Sequence, residues 1–471
     1  MRTGSPKPLF RLIGAALLTA ALTATYAAPD ANAAASTDLS VAADALDIGG
    51  TYSVVRLAAR TDITTDLIAA TKTAASSSKP RVVVLPVGSF AVKKAVRPAN
   101  HVYLVAQPNT TVTWRGSDSH MLRFDHVTSG VYGGVWDGAK RGSANVFSAS
   151  AANVNYSDLT VKNAANNGIA GYNGSTLKVE DVKVTANGRD GVYMQETKVT
   201  AVRLTATSNE RTGLMLSKKS SGTVSGSALD GNGQGVSGST TGKTGHGLAL
   251  DASEATVSST SMSRNKVCGI SLTKKASIKV TGSSIASNGR HGVGTRGSVK
   301  GSLTKTKITK NGYNGVLATD SGTKITLKSS IIESSKKYGL SVPSKGAATL
   351  TGTTVKGSGN SNISVSGGGK LTLKASNSVT SAQGDGIAVT SKGRIAVSGA
   401  DNVVSKNKAN GLRLSGSGTQ GTVVEKMSVK SNKQIAILVH AKGKLETVKN
   451  SVSGGKKKGV VTRSGGKVVK L

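Results

Sequence analysis

The chain has 471 residues and carries 61 Lys and Arg against 24 Asp and Glu, a formal net charge of +37. A single cysteine, Cys268, excludes an internal disulfide framework, and an aromatic content of 3% argues against repeated ring platforms for neutral sugars or single-stranded bases. So large a positive excess attracts polyanions through a field that salt screens, and its self-repulsion is unfavourable unless an anionic partner offsets it.

Residues 1–33 read as a secretory signal peptide: Arg2, Lys7 and Arg11 precede the apolar run Leu12 to Leu22, and Ala31-Asn32-Ala33 provides the small residues of a cleavage site. The expected product is secreted, free or associated with the cell wall, and keeps 58 Lys and Arg against 23 Asp and Glu, a net of +35. No later apolar run reaches the roughly 18 residues a membrane span needs, and no cysteine directly follows the signal to carry a lipid. Residues 34–61 form a polar leader. From Asp62 to Ala75 the pattern predicts a short amphipathic helix, with Asp62 or Thr64 as N-cap and Leu67, Ile68 and Thr71 on one side. The helix belongs to a capping segment over residues 62–120 that continues through Pro80-Arg81-Val82-Val83-Val84-Leu85-Pro86-Val87-Gly88-Ser89-Phe90.

Residues 121–471 are expected to be coils. A glycine followed by Ile, Val or Leu stands at Gly168, Gly191, Gly213, Gly247, Gly269, Gly292, Gly315, Gly339, Gly386, Gly411 and Gly459, with Asn362 and Gln434 filling the two gaps. The steps run 23, 22, 34, 22 and 23 residues from Gly168 to Gly292, then 23, 24, 23, 24, 25, 23 and 25. Asparagine often stands four residues earlier, at Asn187, Asn209, Asn265, Asn288, Asn311 and Asn407, giving N-x-x-x-G-[IVL]. Asn tolerates the left-handed conformation and Gly supplies any further positive φ, so the unit reads as a turn leading into a strand. Aliphatics alternate after the glycine, as in Gly213-Leu214-Met215-Leu216, and again later in the unit, as in Ile278-Lys279-Val280 and Leu371-Thr372-Leu373. A unit of two or three short strands cannot bury its apolar side alone, so neighbours must stack, and this period fits a parallel β-helix of about fourteen coils. The L-x-x-L-x-L frame of a leucine-rich repeat is absent. The 34-residue step from Gly213 to Gly247 marks an insertion around residues 233–244, either the border of a groove or a tolerated bulge.

With its Asn turn, Gly-Ile start and Ser/Thr-rich second strand, the repeat resembles the right-handed parallel β-helix proteins of the pectate-lyase-like superfamily, over roughly residues 60 to 471. The capping helix with its V-x-L-P-x-G-x-[YF] strand, and the turn Gly133-Gly134-Val135-Trp136-Asp137-Gly138, resemble the way many of these proteins begin their stack. The resemblance implies an all-β solenoid and, as an expectation, action on a polysaccharide; the fold by itself hosts many unrelated functions.

If the residue after each glycine points inward, positions two and four beyond it point outward along one sheet. The outward columns read Tyr193, Met215, Ala249, Ser271, Gly294, Leu317 and Gln195, Ser217, Asp251, Thr273, Arg296, Thr319. A third column, just before the glycine, reads Asn167, Asp190, Thr212, His246, Cys268, His291, Asn314, Tyr338. Larger functional side chains gather between Asp190 and Arg296, and with coils about 4.8 Å apart Asp190 and His246 are expected some 10 Å from each other.

Three chemistries compete for that strip. Glycoside hydrolysis needs a carboxylate pair flanking the bond; Asp190, Asp251 and Glu254 are candidates, yet of the polygalacturonase elements only Gly245-His246-Gly247 matches G-H-G, and N-T-D, D-D and R-I-K are missing. A calcium-dependent lyase needs clustered carboxylates, but the acids here are scattered singly, and the D-P-H-D motif of mannuronan epimerases is absent. Metal-free β-elimination remains, with His246, Tyr193 or His291 as base and acid. Arg189, Arg211 or Arg296 then neutralise the uronate, and Asp190, Gln195 and Asp251 help bind substrate. Cys268, lacking an activator, reads as an inert thiol.

Two functions follow. The first is a secreted, metal-independent lyase of an acidic, uronate-containing polysaccharide, working without cofactor as a monomer that neither spans a membrane nor reads nucleic acid. The second is a non-catalytic surface or matrix rod that holds teichoic acid or glycosaminoglycan. Its motivation is the stretch from Lys324 to the end, where 25 basic residues face 5 acidic ones, a net of +20 in 148 residues.

Overall fold

The computed structural model describes residues 39–234, 244–424, 427–447 and 457–470. Residues 1–33, read as a signal peptide, the first residues of the leader and most of the 233–244 insertion lie outside the described residues. The chain divides into two compact units, Met1–Val41 and Ala42–Leu471. In the first, the described residues 39–41 are helical.

Ala42–Leu471 is a right-handed parallel β-helix. The coils stack their strands into three faces. The first face is a sheet of 15 strands, from His120–Asp125 to Lys457–Arg463. The second is a sheet of 18, from Ser53–Arg56 to Lys467–Lys470. The third consists of sheets of 6 and 7 strands joined by single bridges through Thr205, Ala228, Ser261 and Ser284. The stack has about 16 turns, more than the fourteen expected. The residues ahead of the glycine repeat also wind into coils, since Ser53–Arg56 pairs with Arg81–Leu85, that strand with Val102–Ala106, and that one with Thr128–Tyr132.

The core follows from the alternation. On the first face Ile169, Val192, Leu214, Leu248, Ile270 and Val293 stand in register and are fully buried, and on the second Val179, Ala201, Val224, Val257 and Val280 do the same. Burying each Ile, Leu or Val contributes roughly 1.5–3 kcal/mol, so the stack is stabilised rung by rung. The N-terminal helix spans Thr64–Thr71, shorter than expected. Asp62 Oδ1 accepts the Thr64 N–H at 3.0 Å, and Leu67 and Thr71 face the core. The helix stops there because the Thr71 carbonyl accepts the Ala99 N–H at 2.9 Å, tying the chain to the next coil.

Between Gly168 and Gly411 neither the Asn nor the Gly of the repeat takes the left-handed conformation expected there. The left-handed residue is the one before each asparagine: Ala186, Ser208, Gly231, Arg264, Ser287 and Lys310 have φ between 54° and 64°. The asparagines are buried and form a side-chain ladder along the stack. Each Nδ2–H donates to the next Oδ1, from Asn187 to Asn209 at 2.8 Å, to Asn232 at 3.0 Å, to Asn265 at 3.2 Å, to Asn288 at 3.1 Å and to Asn311 at 3.0 Å. From Gly168 to Gly411 no glycine of the motif has positive φ. Glycine is needed for close approach: a Cβ on Gly191 would stand 2.6 Å from Asn209 Nδ2 and 2.8 Å from the Gly213 carbonyl. Where the ladder residues are small, Ser358 and Ala382, the glycine position takes an asparagine, Asn362, whose Oδ1 accepts the Ser358 N–H at 3.1 Å. In the next gap Ala436, not Gln434, occupies the glycine position, because Leu412 pairs with Ile437.

The corner between the first and second faces is a pair of left-handed residues. Lys274 and Lys275 have φ of 52° and 66°, Ser344 and Lys345 of 50° and 63°, Ser391 and Lys392 of 49° and 65°, and Ala441 and Lys442 of 48° and 64°. Each non-glycine residue held there costs about 1–2 kcal/mol.

Candidate functional site

The column before the glycines is buried, with Asn167 at 3%, Asp190 at 2%, His246 at 2% and His291 at 6% exposure. Its hydrogen bonds explain why. Asn167 Oδ1 accepts the Asp190 N–H at 3.2 Å, Asp190 Oδ1 accepts the Thr212 N–H at 3.1 Å, and Asp385 Oδ1 accepts the Asn410 N–H at 3.1 Å. His246 takes the same place, with Nδ1 accepting the Cys268 N–H at 3.3 Å. The sharp bend before the glycine turns each of these side chains toward the coil above, where it satisfies a backbone donor that the corner leaves without a strand partner.

On the first face a cavity of about 590 Å³ opens over the coils of residues 246–317. It brings together four of the residues singled out from the sequence, His246, His291, Asp251 and Arg296, and adds Cys268, Lys274 and Arg290. Ala249, Ser271, Gly294 and Leu317 make the floor. Gly294 creates space, since a Cβ there would come within 3.1 Å of Cys268 Sγ and 3.6 Å of the His291 ring. Asp251 is engaged at the rim, accepting from Thr273 Oγ1 at 2.8 Å and from Lys274 Nζ at 2.9 Å. Arg296 is exposed and forms no salt bridge among the described residues. Burial, helped by the Arg290 charge, pushes His291 down to about 4, so the imidazole is neutral at neutral pH, and its Nδ1 has no hydrogen-bond partner among the described residues. Burial also pushes the Cys268 thiol up to about 11, well away from a reactive thiolate.

The other five candidates lie outside this cavity. Tyr193 Oη donates to Gln195 Oε1 at 3.1 Å and accepts from Ser217 Oγ at 3.3 Å, while its ring packs 5.9 Å from that of Tyr172. Arg189 and Arg211 belong to adjacent coils, joined by the Arg211 N–H to the Arg189 carbonyl at 3.0 Å. Burial raises the Asp190 carboxyl above its ordinary range, opposed by the charges of Arg211 and Arg189. The sequence spacing put the candidates on one strip; the structure separates them into a cavity and a polar group in the two preceding coils.

Tyr313 was missed by sequence reasoning. It is 39% exposed, stacks edge-on to His291 at 5.5 Å between ring centres, and has Lys337 Nζ 4.5 Å above its ring. The signal was available, because Asn311-Gly312-Tyr313-Asn314 places an aromatic two residues before the glycine where earlier coils have Arg189, Arg211 and Arg290. The insertion leaves and rejoins the stack at a pinch in which a Cβ on Gly233 would stand 2.6 Å from Gly245 Cα, so the coil closes beneath it. A second, more open groove of about 690 Å³ crosses the second face, edged by Lys198, Glu254, Lys279, Lys300 and Lys324. Among the described residues no group of three or more His, Cys, Asp or Glu could hold a metal ion, and no helix is long and apolar enough to cross a membrane.

The sequence matches the family described as "Right handed beta helix region" over residues 144–298 and 314–470. No curated protein matches it. Among solved structures, the Dettilon tailspike protein gp208 is similar with a TM-score of 0.50 at 12% identity, covering 69% of this chain and 67% of that one. The A-module of the Azotobacter vinelandii mannuronan C-5 epimerase AlgE4 has a TM-score of 0.40 at 14% identity, covering 83% and 95%. Pectate lyase Pel9A has a TM-score of 0.35 at 11% identity, covering 72% and 79%. At these identities the likeness is one of fold.

Proposed function

The chain belongs to the right-handed β-helix region family, and from that premise we propose that it acts on an acidic, uronate-containing polysaccharide, one sugar of which occupies the first-face cavity. The observation that carries the reading is the meeting of Arg290, Arg296 and Lys274 with the neutral ring of His291 in one cavity. Cations at the rim suit a carboxylate, and Tyr313 beside His291 offers a ring face to an adjoining sugar. Export through the signal peptide read over residues 1–33 brings the protein to such polymers.

The chemistry that fits these groups is β-elimination. Arg296 neutralises the uronate carboxylate, which makes the proton on the neighbouring carbon more acidic. His291 accepts that proton, a carbon–carbon double bond forms, and the bond to the glycosidic oxygen breaks. The departing oxygen takes a proton from the new imidazolium or from water. A carboxylate lodged beside His291 raises its low pKa by Coulomb attraction, so the ring becomes a better base when substrate is present.

The test uses the whole chain with pectate, alginate and hyaluronan, following binding of short oligosaccharides and the ultraviolet absorbance of unsaturated uronides. Wild type is expected to bind and to generate absorbance. Arg296→Ala is expected to weaken binding about tenfold, equivalent to 1.4 kcal/mol, and His291→Gln to abolish absorbance while retaining binding. His246→Asn, which keeps an acceptor for the Cys268 N–H, is expected to act like wild type. Binding without absorbance removes the elimination step; no binding to any of the three polymers removes the reading.

A further inference from the structure

We propose that the corner between the first and second faces, running C-terminally from the cavity rim, is a track that holds the polymer parallel to the coil axis. The proposal takes the polymer's chemistry, a linear uronan, from the reading above and adds a separate binding surface, a direction and a length dependence.

Lys345, Lys392 and Lys442 occupy the same corner position at two-coil intervals, about 10 Å apart. All three are exposed, and none forms a salt bridge among the described residues. Between them the position is glycine, and each lysine stem lies along the axis over the glycine of the next coil. A Cβ on Gly368 would meet Lys345 Cγ at 3.4 Å, one on Gly418 Lys392 Cγ at 3.1 Å, and one on Gly465 Lys442 Cγ at 3.6 Å. Gly368 and Gly465 hold the corner at φ of 76° without the steric cost a side chain brings. Lysine is therefore not there for the turn: three coils retain a strained residue at a site where the alternate coils are relaxed. Strain retained at regular positions points to a use for the side chain.

Beside this corner, the first outward position of the second face adds a parallel row. In register it reads Lys300, Lys324, Ala347, Lys370, Arg394, Gln420, Lys444 and Lys467, so two cations are followed by one neutral residue at each repeat. Of these, among the described residues, only Lys444 forms a salt bridge, with Glu446. N-terminally the corner of the next coil carries Asp320 and Gly322, and corner cations resume at Arg296, Lys274 and Lys275, of which Lys274 and Arg296 stand at the cavity. Across that coil the row residues Lys300 and Lys324 carry the cationic path from the cavity to the track.

Charge complementarity identifies the occupant. An extended uronan carries one carboxylate per sugar, and a sugar is about as long as a coil is tall, so its charges advance in step with the rows. Lysines are point charges on flexible stems, without the fork that fixes a single anion, which suits a chain held by many weak contacts and free to slide. The corner and row carry no aromatic residue on which the bases of a nucleic acid would stack.

The test compares long alginate or pectate with short uronate oligosaccharides over a range of salt, using full-length K345Q/K392Q/K442Q, the corresponding triple glycine variant, whose backbone suits the corner, and Arg296→Ala. Wild-type affinity is expected to rise with polymer length. Both triple variants are expected to lose at least tenfold for long polymer, with the salt dependence shallower by about two to three charges, and to bind short oligosaccharides unchanged. Arg296→Ala is expected to lose the short ones. Triple variants that hold long polymer as tightly as wild type, or wild-type affinity independent of length, overturn the track and leave the cavity reading intact. Failure of every uronan, with salt-sensitive binding of polyphosphate or DNA instead, overturns both.

Discussion

Residues 34–323 hold 33 Lys and Arg against 18 Asp and Glu, and residues 324–471 hold 25 against 5. In the first region carboxylates are built into the surface: Glu180 and Asp181 pair with Arg203, Asp251 with Lys274, and Asp190 is a rung of the corner ladder. In the second only Glu333, Asp385 and Glu446 form described ion pairs. The interior differs in a complementary way. The asparagine ladder runs unbroken from Asn187 to Asn311, gives way to Ser335, Ser358 and Ala382, and resumes at Asn407 and Asn432. Because each coil is stabilised by its neighbours, surface charge and ladder chemistry vary region by region without altering the fold. The first region invests in fixed polar geometry around a cavity, the second in unpaired positive charge.

Interrupting the ladder tests this contrast with the largest effect. Asn209 accepts from the Asn187 backbone and side chain and donates to the Val184 carbonyl and to Asn232, so Asn209→Ala should cost about 3–5 kcal/mol by leaving several buried groups unsatisfied. Ser358→Ala, at the same position in the second region, should cost less than about 1 kcal/mol because its hydroxyl has no partner among the described residues. Urea unfolding of both variants measures the difference, and equal losses would dissolve the comparison.

Next in size is acid sensitivity confined to the first region. His291 has its pKa lowered from 6.5 to about 4. Protonation therefore favours the unfolded coil: the stabilising contribution is complete above pH 6.5, shrinks as pH falls toward 4, and is absent below. The total is about 3 kcal/mol. Amide exchange in the coil of residues 291–296 should quicken over that window in wild type and stay level in His291→Gln, while coils beyond residue 340 should be indifferent.

Gly191→Ala should cost about 2–3 kcal/mol, since the new methyl meets Asn209 and the Gly213 carbonyl and neither can retreat. Thermal unfolding of the purified variant checks it. The smallest effect has the opposite sign. Lys345→Gly should stabilise the second region by about 1 kcal/mol by relieving its left-handed backbone, while weakening retention on long uronans. A destabilised Lys345→Gly would show that the lysine serves the turn.

Much of the scaffold was legible from residue order. The glycine period and the aliphatic alternation after Gly213 and Gly411 sufficed for a parallel stack, and the lone cysteine for one held by burial. The site was less legible. Spacing placed His246, Tyr193 and Asp190 in columns but said nothing of which way a corner turns its side chain, and that direction makes His246 a hydrogen-bonded rung. The ladder amides likewise bond to the coil above, some 23 residues away in sequence, so local propensity alone assigned their role to the turn. Gly294 contributes to the cavity by what it lacks, a negative feature visible only against Cys268 and His291 in space.

The sequence by itself determined that the chain coils, how long each lap is, and that its exterior is positive, because periodicity and charge are properties of residue order. Only the tertiary structure decided which columns sink into corners, which lysines lie over glycines, and which candidate residues share a cavity. Those outcomes depend on backbone torsions at the bends and on contacts between successive laps, and a one-dimensional pattern encodes neither directly.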